Sequence, residues 1–292
     1  GLYNAAAILR DGAVTTAAVK RLLPAYDVFL EPRWFVPGPA MAPLEVAGTR
    51  VSVLICEDMW DESYPVHPPA EALAAGAEVL VVLAAVPFRA GIQAERLAHA
   101  RRHGSPLVHA NLIGANDELI FDGRSFAVNG EGELLAQLPG FEEAMTVVDL
   151  DAAPLEPVTE IDTDKERFDA LVLGVRDFGR KNLQEHLVLG LSGGIDSSVV
   201  AILAAEAVGP ARVTGVAIPS RYSDPRSTGS AQALAENLGI GFDVIELEPL
   251  HSAVETALDE LFAGDEKAAG VAAENAQARL RMLILMAFVN RY

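Results

Sequence analysis

The sequence predicts an α/β protein in two parts, an α/β sandwich followed by a doubly wound parallel sheet. Three observations predict it. From residue 186 onward, strand and helix signals alternate strictly, the pattern of a parallel sheet with crossover helices. Between residues 50 and 138, mixed βα units give way to a run of short strands separated by turn residues. Residues 152–164, with two prolines and several acids, read as a linker. The expected domains are therefore 1–151 and 165–292.

Taken in order, the chain enters on a strand at residues 2–9. Residues 50–56 (RVSVLIC) are a β-branched strand, 70–75 a short helix closed by Gly76, and 79–85 a second buried strand. Residues 91–103 read as a helix with Leu97 and Ala98 on its apolar side. Strands follow at 107–113, 118–121, 125–128 and 133–138, with turns at Gly114, Asp122-Gly123 and Asn129-Gly130. Residues 146–150 are a last short strand. Thr163 or Asp164 then caps a helix running to about Arg180. Strands 186–191, 212–218 and 242–247 alternate with helices 197–208, 226–238 and 249–262. Residues 275–292 form an amphipathic helix with Leu280, Leu283, Ile284, Ala287 and Phe288 on its apolar side. Position 1 is Gly and the last helix ends without a breaker, so an internal fragment of a longer protein is expected.

Bulk properties exclude several classes. With 292 residues, 51% hydrophobic and 22% charged, the chain is globular and long enough for two cores. A net charge of −19 argues against nucleic acid and anionic membranes as partners. Apolar runs such as 79–86 are too short to span a bilayer. The single cysteine, Cys56, excludes an intrachain disulfide and a multi-cysteine metal site, and points to a reducing cytoplasm. The histidines at 67, 99, 103, 109, 186 and 251 lack metal-ligand spacing and are expected to be structural.

The richest stretch is residues 186–198, HLVLGLSGGIDSS, where an apolar strand runs into a Ser/Gly turn that opens a helix. Such a turn lets backbone N–H groups converge on an anion, and the helix N-terminus adds partial positive charge. Gly193 and Gly194 let the backbone approach closely. Ser192, Ser197 and Ser198 add hydroxyls, and Asp196 offers a carboxylate for the Mg2+ that accompanies a nucleotide. No Gly-Lys-Ser/Thr follows, so this is not the Walker loop.

Cys56 ends an apolar strand and is followed by Glu57, Asp58, Met59 and Trp60, so the strand opens into a polar mouth. A thiolate there is a competent nucleophile, and Lys20 is a candidate for the ammonium that stabilises it.

The Ser-Gly-Gly-x-Asp-Ser run resembles the pyrophosphate loop of ATP-dependent N-type synthetases. Lys20 in Lys-x-x-Leu-Pro-x-Tyr, Glu31 in Val-Phe-x-Glu-x-Arg-x-Phe and Cys56 in Ile-Cys-Glu-Asp-x-Trp resemble the nitrilase superfamily, as does residues 111–123 (NLIGANDELIFDG). The combination resembles the glutamine-dependent NAD synthetases, with residues 218–223 (IPSRYS) and 274–279 (ENAQAR) in agreement. The resemblance implies a partial nitrilase-like αββα sandwich followed by a Rossmann-like ATP pyrophosphatase domain. It implies amidation of deamido-NAD with glutamine-derived ammonia, through an adenylate that releases AMP and pyrophosphate. By the same resemblance Cys56, Lys20 and Glu31 are catalytic, Tyr26 contacts glutamine, and Arg279 contacts deamido-NAD. Ser192, Gly193, Gly194, Ile195, Asp196, Ser197 and Ser198 bind ATP, and Asp196 holds Mg2+. Ser220 and Arg221 are further candidates for ATP, or residues shaping their turn. The partners are deamido-NAD, glutamine and ATP, and a homo-oligomer is implied.

Two departures stand out. The family's main general base would precede Gly1, and part of its dinucleotide pocket would follow Tyr292, so the fragment alone is expected to be inactive. Val86 and Ile92 stand where the family has a serine and a basic residue for glutamine. Either Arg89 or Arg96 restores that charge, or the amidase is impaired and ammonia is the donor. Another ATP-pyrophosphatase-type amidoligase and a non-catalytic scaffold derived from the family remain the other readings.

Overall fold

The computed structural model describes residues 1–155, 162–184, 186–262 and 266–290. Residues 156–161 of the expected linker and residues 291–292 of the expected last helix lie outside the described residues. The chain divides into two units, Gly1–Ala170 and Leu171–Tyr292. Among the described residues, no helix is long and apolar enough to cross a membrane.

The first unit opens on an antiparallel hairpin of β1 (Ala5–Arg10) and β2 (Ala13–Val19). Its turn is Asp11-Gly12, both with positive φ (52° and 78°), the backbone that matches strand twist in a two-residue hairpin. The Asp-Gly signal was in the sequence, although apolar patterning alone finds only the first strand. The same device, Ala47-Gly48, joins β3 (Leu44–Val46) to β4 (Thr49–Ile55).

β4, β5 (Val79–Ala84) and β6 (Leu107–Asn111) run parallel at the centre of a six-stranded sheet. Its edges are β3 on one side and, on the other, antiparallel β9 (Phe126–Val128) and β10 (Leu134–Gln137). Helices α1 (Pro68–Ala74) and α2 (Ile92–Arg102) are the crossovers. Leu54, Leu80, Val82, Leu107, Phe126 and Val128 form one core cluster. The register pairs Ile55 with Leu83, which brings the carboxyl ends of β4 and β5 side by side.

Three expectations fail here. Ala98 is exposed, and the buried face of α2 instead carries Ile92, Gln93, Arg96 and Ala100. The reason is Arg96, which is fully buried because Asp122 neutralises it. Gly114 is not a turn but lies inside β7 (Ile113–Asn116), which pairs with β8 (Leu119–Asp122) across Asp117-Glu118. Residues 146–150 form no strand: Val147 is 97% exposed, and apolar composition without a pairing edge does not make a sheet.

Helix α3 (Thr163–Lys181) is capped by Asp162 rather than Thr163 or Asp164. Its Oδ1 accepts the N–H groups of Asp164 and Lys165 at 3.0 and 3.1 Å.

In the second unit β11 (Leu187–Gly190), β12 (Val213–Ala217) and β13 (Gly241–Val244) form a parallel sheet in chain order. Helices α4 (Ile195–Val208), α5 (Pro225–Leu238), α6 (Glu248–Phe262) and α7 (Glu266–Val289) complete it. Val216 and Ile218 point to one side and cluster with Leu280, Ile284 and Phe288 of α7. That stripe keeps i, i+4 spacing. Leu283 and Ala287, expected on it, are exposed.

Candidate active sites

The first site starts from a strained elbow. β4 ends at Ile55, and Cys56 turns the chain with φ of 47°, a left-handed conformation costly for any residue but glycine. The turn Cys56–Met59 follows, and Asp58 fixes it. Its Oδ2 accepts the Ile55 N–H at 3.0 Å, while Oδ1 accepts those of Arg21 and Leu22 at 3.0 and 2.9 Å. One buried carboxylate thus ties the segment after β2 to the elbow, which sets Lys20 beside Cys56. Burial pushes the Asp58 carboxyl above its ordinary range, against the three N–H groups and Lys20, which favour its charge.

Lys20 is only 2% exposed, and its Nζ donates to Glu31 Oε1 at 2.6 Å. Glu31 Oε2 is buried without a hydrogen-bond partner. Lys20, Glu31 and Cys56 line one cavity of about 380 Å³, with Ala84 and Ala85 from the end of β5. Burial raises the Cys56 thiol, while Lys20 and the backbone N–H of Ala85 draw it down. Glu57 and Glu31 oppose the thiolate. A half-buried thiol, a paired ammonium and a half-free carboxylate around one cavity are suited to acyl transfer.

Tyr26 reaches this site through Glu57. Its hydroxyl donates to both Glu57 oxygens, at 3.1 and 2.9 Å, and Tyr64 donates to Oε1 at 2.8 Å. Burial and Glu57 raise the Tyr26 hydroxyl, which keeps it a donor. Val86 and Ile92 are buried, at 7% and 5% exposure. Neither arginine proposed to replace the lost charge is free. Arg89 is tied to Glu95, and Arg96 to Asp122, Gln93 and the Val86 carbonyl. His99 packs on Trp60 and His103 lies 3.3 Å from the Met59 carbonyl, both drawn toward the neutral form by burial.

The second site is the turn between β11 and α4. Gly193 has φ of 77°, and a Cβ there would stand 2.2 Å from the Ser227 carbonyl oxygen. Only glycine fits. The turn is bonded to itself: Ser192 Oγ meets Ser197 Oγ at 3.0 Å and accepts the Gly194 N–H at 3.3 Å. The Ser197 and Ser198 hydroxyls donate to the Gly194 carbonyl at 3.1 and 2.8 Å. Ile195 and Asp196 are exposed on the first turn of α4. Among the described residues no group of three His, Cys, Asp or Glu side chains could hold a metal by itself. Asp196 is the carboxylate of this turn.

Beside the turn is a cavity of about 410 Å³ lined by Ser192, Ile218, Ser223, Ser227, Thr228 and Arg281, among others. Arg281 is the residue that sequence reasoning missed. Its Nε donates to the Ile218 carbonyl at 3.1 Å, and its Nη2 lies 3.4 Å from Ser220 Oγ. Arg279 is exposed, and the structure does not bring it to this cavity. Helical spacing held the signal, since residue 281 is three positions from buried Ile284 and four from Gln277. Arg221 pairs with Glu248 and Glu255, whereas Ser220 Oγ donates to Gln277 Oε1 at 3.0 Å.

Residues 1–159 match the model of the carbon-nitrogen hydrolase family, and residues 167–292 match that of NAD synthase. The chain belongs to the carbon-nitrogen hydrolase family and continues into an NAD synthase segment. Its relatives narrow the class. A glutamine-dependent NAD(+) synthetase of Rhodobacter capsulatus is 42% identical over 308 residues, covering 100% of this chain and 54% of that protein. One from Thermotoga maritima is 36% identical, covering 99% and 57%. The solved glutamine-dependent NAD+ synthetase of Acinetobacter baumannii, in complex with ADP, superposes with a TM-score of 0.91. It is 31% identical, covering 99% of this chain and 56% of that one. The chain thus spans about half the length of the relatives it matches.

Proposed function

We propose that the protein releases ammonia from glutamine at Cys56 and uses it to amidate deamido-NAD with ATP at residues 192–198. The observation that carries this reading is the convergence of Lys20, Glu31 and Cys56, from three separate segments, on one cavity. The domains we assign are 1–151 for the amidase and 165–292 for the synthetase, with 152–164 between them.

At the first site the Cys56 sulfur attacks the side-chain amide carbon of glutamine, the C–N bond breaks, ammonia leaves and a thioester forms. Lys20 Nζ and the N–H after Cys56 stabilise the oxyanion. Glu31 holds Lys20 through Oε1 and has Oε2 free to pass a proton. Tyr26, fixed on Glu57, contacts glutamine at the mouth. Water then releases glutamate. At the second site the carboxylate of deamido-NAD attacks the α-phosphorus of ATP and pyrophosphate leaves. Ammonia displaces AMP from the adenylate to give the amide.

The first-turn N–H groups of α4, unpaired within the helix, hold the pyrophosphate with Ser192, Gly193, Gly194, Ile195, Ser197 and Ser198 around it. Asp196 would hold Mg2+, which would neutralise phosphate charge. A single carboxylate suits Mg2+, which takes its other ligands from phosphates and water. Arg279 contacts deamido-NAD. The A. baumannii relative was solved in complex with ADP, which supports nucleotide binding by this protein. The single cysteine supports a cytoplasmic location, and the resemblance supports a homo-oligomer.

The test supplies the complete protein with deamido-NAD, ATP and magnesium, and either glutamine or ammonium. NAD from both donors is expected. NAD from neither overturns the assignment. A second reading, an ammonia-dependent synthetase with a weak amidase, is favoured by the burial of Val86 and Ile92 and the engagement of Arg89 and Arg96. NAD from ammonium alone would select it.

A further inference from the structure

Ala84 and Ala85, at the exit of β5, form part of the wall of the Cys56 cavity. The Ala85 N–H, with Lys20, favours the Cys56 thiolate. Residues just past a strand end have no ladder to hold them, so something else must. Behind the wall lies a buried polar cage. Arg96, fully buried, donates from Nη2 to the Val86 carbonyl at 3.1 Å. Its other contacts lock it: Nη2 and Nη1 donate to Asp122 Oδ1 and Oδ2 at 2.6 and 3.0 Å, and Nη1 lies 3.2 Å from Gln93 Oε1. Asn111 accepts the Val86 N–H on Oδ1 at 2.9 Å and donates from Nδ2 to the Gly123 carbonyl at 3.0 Å. The Leu112 N–H donates to the Ala84 carbonyl at 2.9 Å.

Both backbone groups of Val86 are therefore held by side chains, and those side chains are oriented by Asp122 and Gly123. None of the four touches the cavity. A buried Arg–Asp pair is expensive to desolvate and is weak evidence for stability as such, so its retention asks for another role. The adjoining residue supplies one. We propose that Arg96 and Asn111 are positioning residues for the amidase reaction, which act through Val86 to hold the Ala85 amide against the Cys56 sulfur. This rests on the reading of Cys56 as the nucleophile. It also gives Val86 a use that does not involve its side chain: its backbone is the handle by which the cage grips the wall.

The test uses the complete protein with Asn111→Ala and Arg96→Lys, each checked for folding by thermal unfolding. Two readouts are taken: glutamine-dependent kcat and KM, and the pH dependence of iodoacetamide alkylation at Cys56, followed on the peptide that contains it. Lys20, Glu31 and Glu57 also face the thiol and are left intact. The expected result in a folded variant is a drop in kcat of about tenfold or more with KM nearly unchanged, the scale of one lost hydrogen bond. The alkylation midpoint should rise by about one pH unit. A folded variant with an unmoved alkylation midpoint overturns the proposal, even if kcat falls, because a merely structural role would do that. Should both variants unfold, hydrogen exchange on the unaltered protein decides: slow exchange at Val86 supports the cage, and exchange as fast as an open loop overturns it. Cys56→Ala separates the two readings. If it retains glutamine-dependent activity, the nucleophile assignment falls. If it loses that activity while Asn111→Ala and Arg96→Lys change nothing, only the cage falls.

Discussion

Around Cys56, Lys20 and Asp58 are buried and paired across long stretches of chain, whereas in residues 192–198 the polar groups are exposed or half-buried and bonded to near neighbours. Lys20 meets Glu31 eleven positions away, Asp58 meets Arg21 thirty-seven away, and Arg96 meets Asp122 twenty-six away. In the Ser/Gly turn every such bond spans two to five positions. On the proposed function, the contrast follows from what each site would handle. A thiol and an ammonium must be kept apart from water and aimed, which takes a scaffold of distant contacts. A phosphate needs only converging N–H groups, which one turn and one helix end supply.

The comparison can be broken at several points. The largest effect is expected for Asp122→Ala, which leaves Arg96 buried and unpaired. The first unit should lose about 3–5 kcal/mol, while the second is unaffected. Both tryptophans, Trp34 and Trp60, lie in the first unit, so denaturant unfolding followed by tryptophan fluorescence reads that unit. Asp58→Asn should cost about 1.5–3 kcal/mol, because an amide nitrogen would face an N–H that Asp58 now accepts. It should also depress glutamine-driven turnover, since it frees the segment that carries Lys20. An unchanged turnover would show that Asp58 does not set the lysine.

Gly193→Ala should act on the other side of the comparison. The left-handed backbone costs about 1–2 kcal/mol, and the Ser227 carbonyl must also move. Calorimetric titration should show ATP affinity reduced about tenfold or more, with the tryptophan transition unmoved. The smallest effect concerns acid. His109 is fully buried, stacked on Phe126, and held by burial and Arg96 down to a pKa of about 3. The unfolded chain takes up a proton near pH 6.5 that the folded chain refuses, so stability rises with pH between those values and falls on acidification. From pH 6 to pH 5 the first unit should lose about 1 kcal/mol from this group. His109→Leu should remove that share of the slope.

What was legible in the sequence divides along the same line. The Ser-Gly-Gly-x-Asp-Ser turn is contiguous, and its residues sit together at the strand end where alternation put them. Cys56, Lys20 and Glu31 were identified one by one from their local contexts, and the fold brings them to one cavity. Their supports were not legible. Arg96 reads as a charge available to the substrate until Asp122, on a distant strand, is known to hold it. Asp58 reads as one acid among several until its three backbone partners appear. Arg281 was hidden by its neighbour Arg279, although the spacing to Ile284 would have separated them. Turn chemistry was the avoidable loss, since Asp11-Gly12 announces a hairpin and residues 146–150 offer only hydrophobicity without a partner.

The central claim is that two separable sites serve one reaction. Its most direct test measures NAD formation by the complete protein with glutamine and with ammonium, in Cys56→Ala and in Asp196→Ala. The account predicts that Cys56→Ala loses the glutamine reaction and keeps the ammonium reaction, while Asp196→Ala loses both. Glutamine-driven synthesis surviving in Cys56→Ala, or either reaction surviving undiminished in Asp196→Ala, would contradict it.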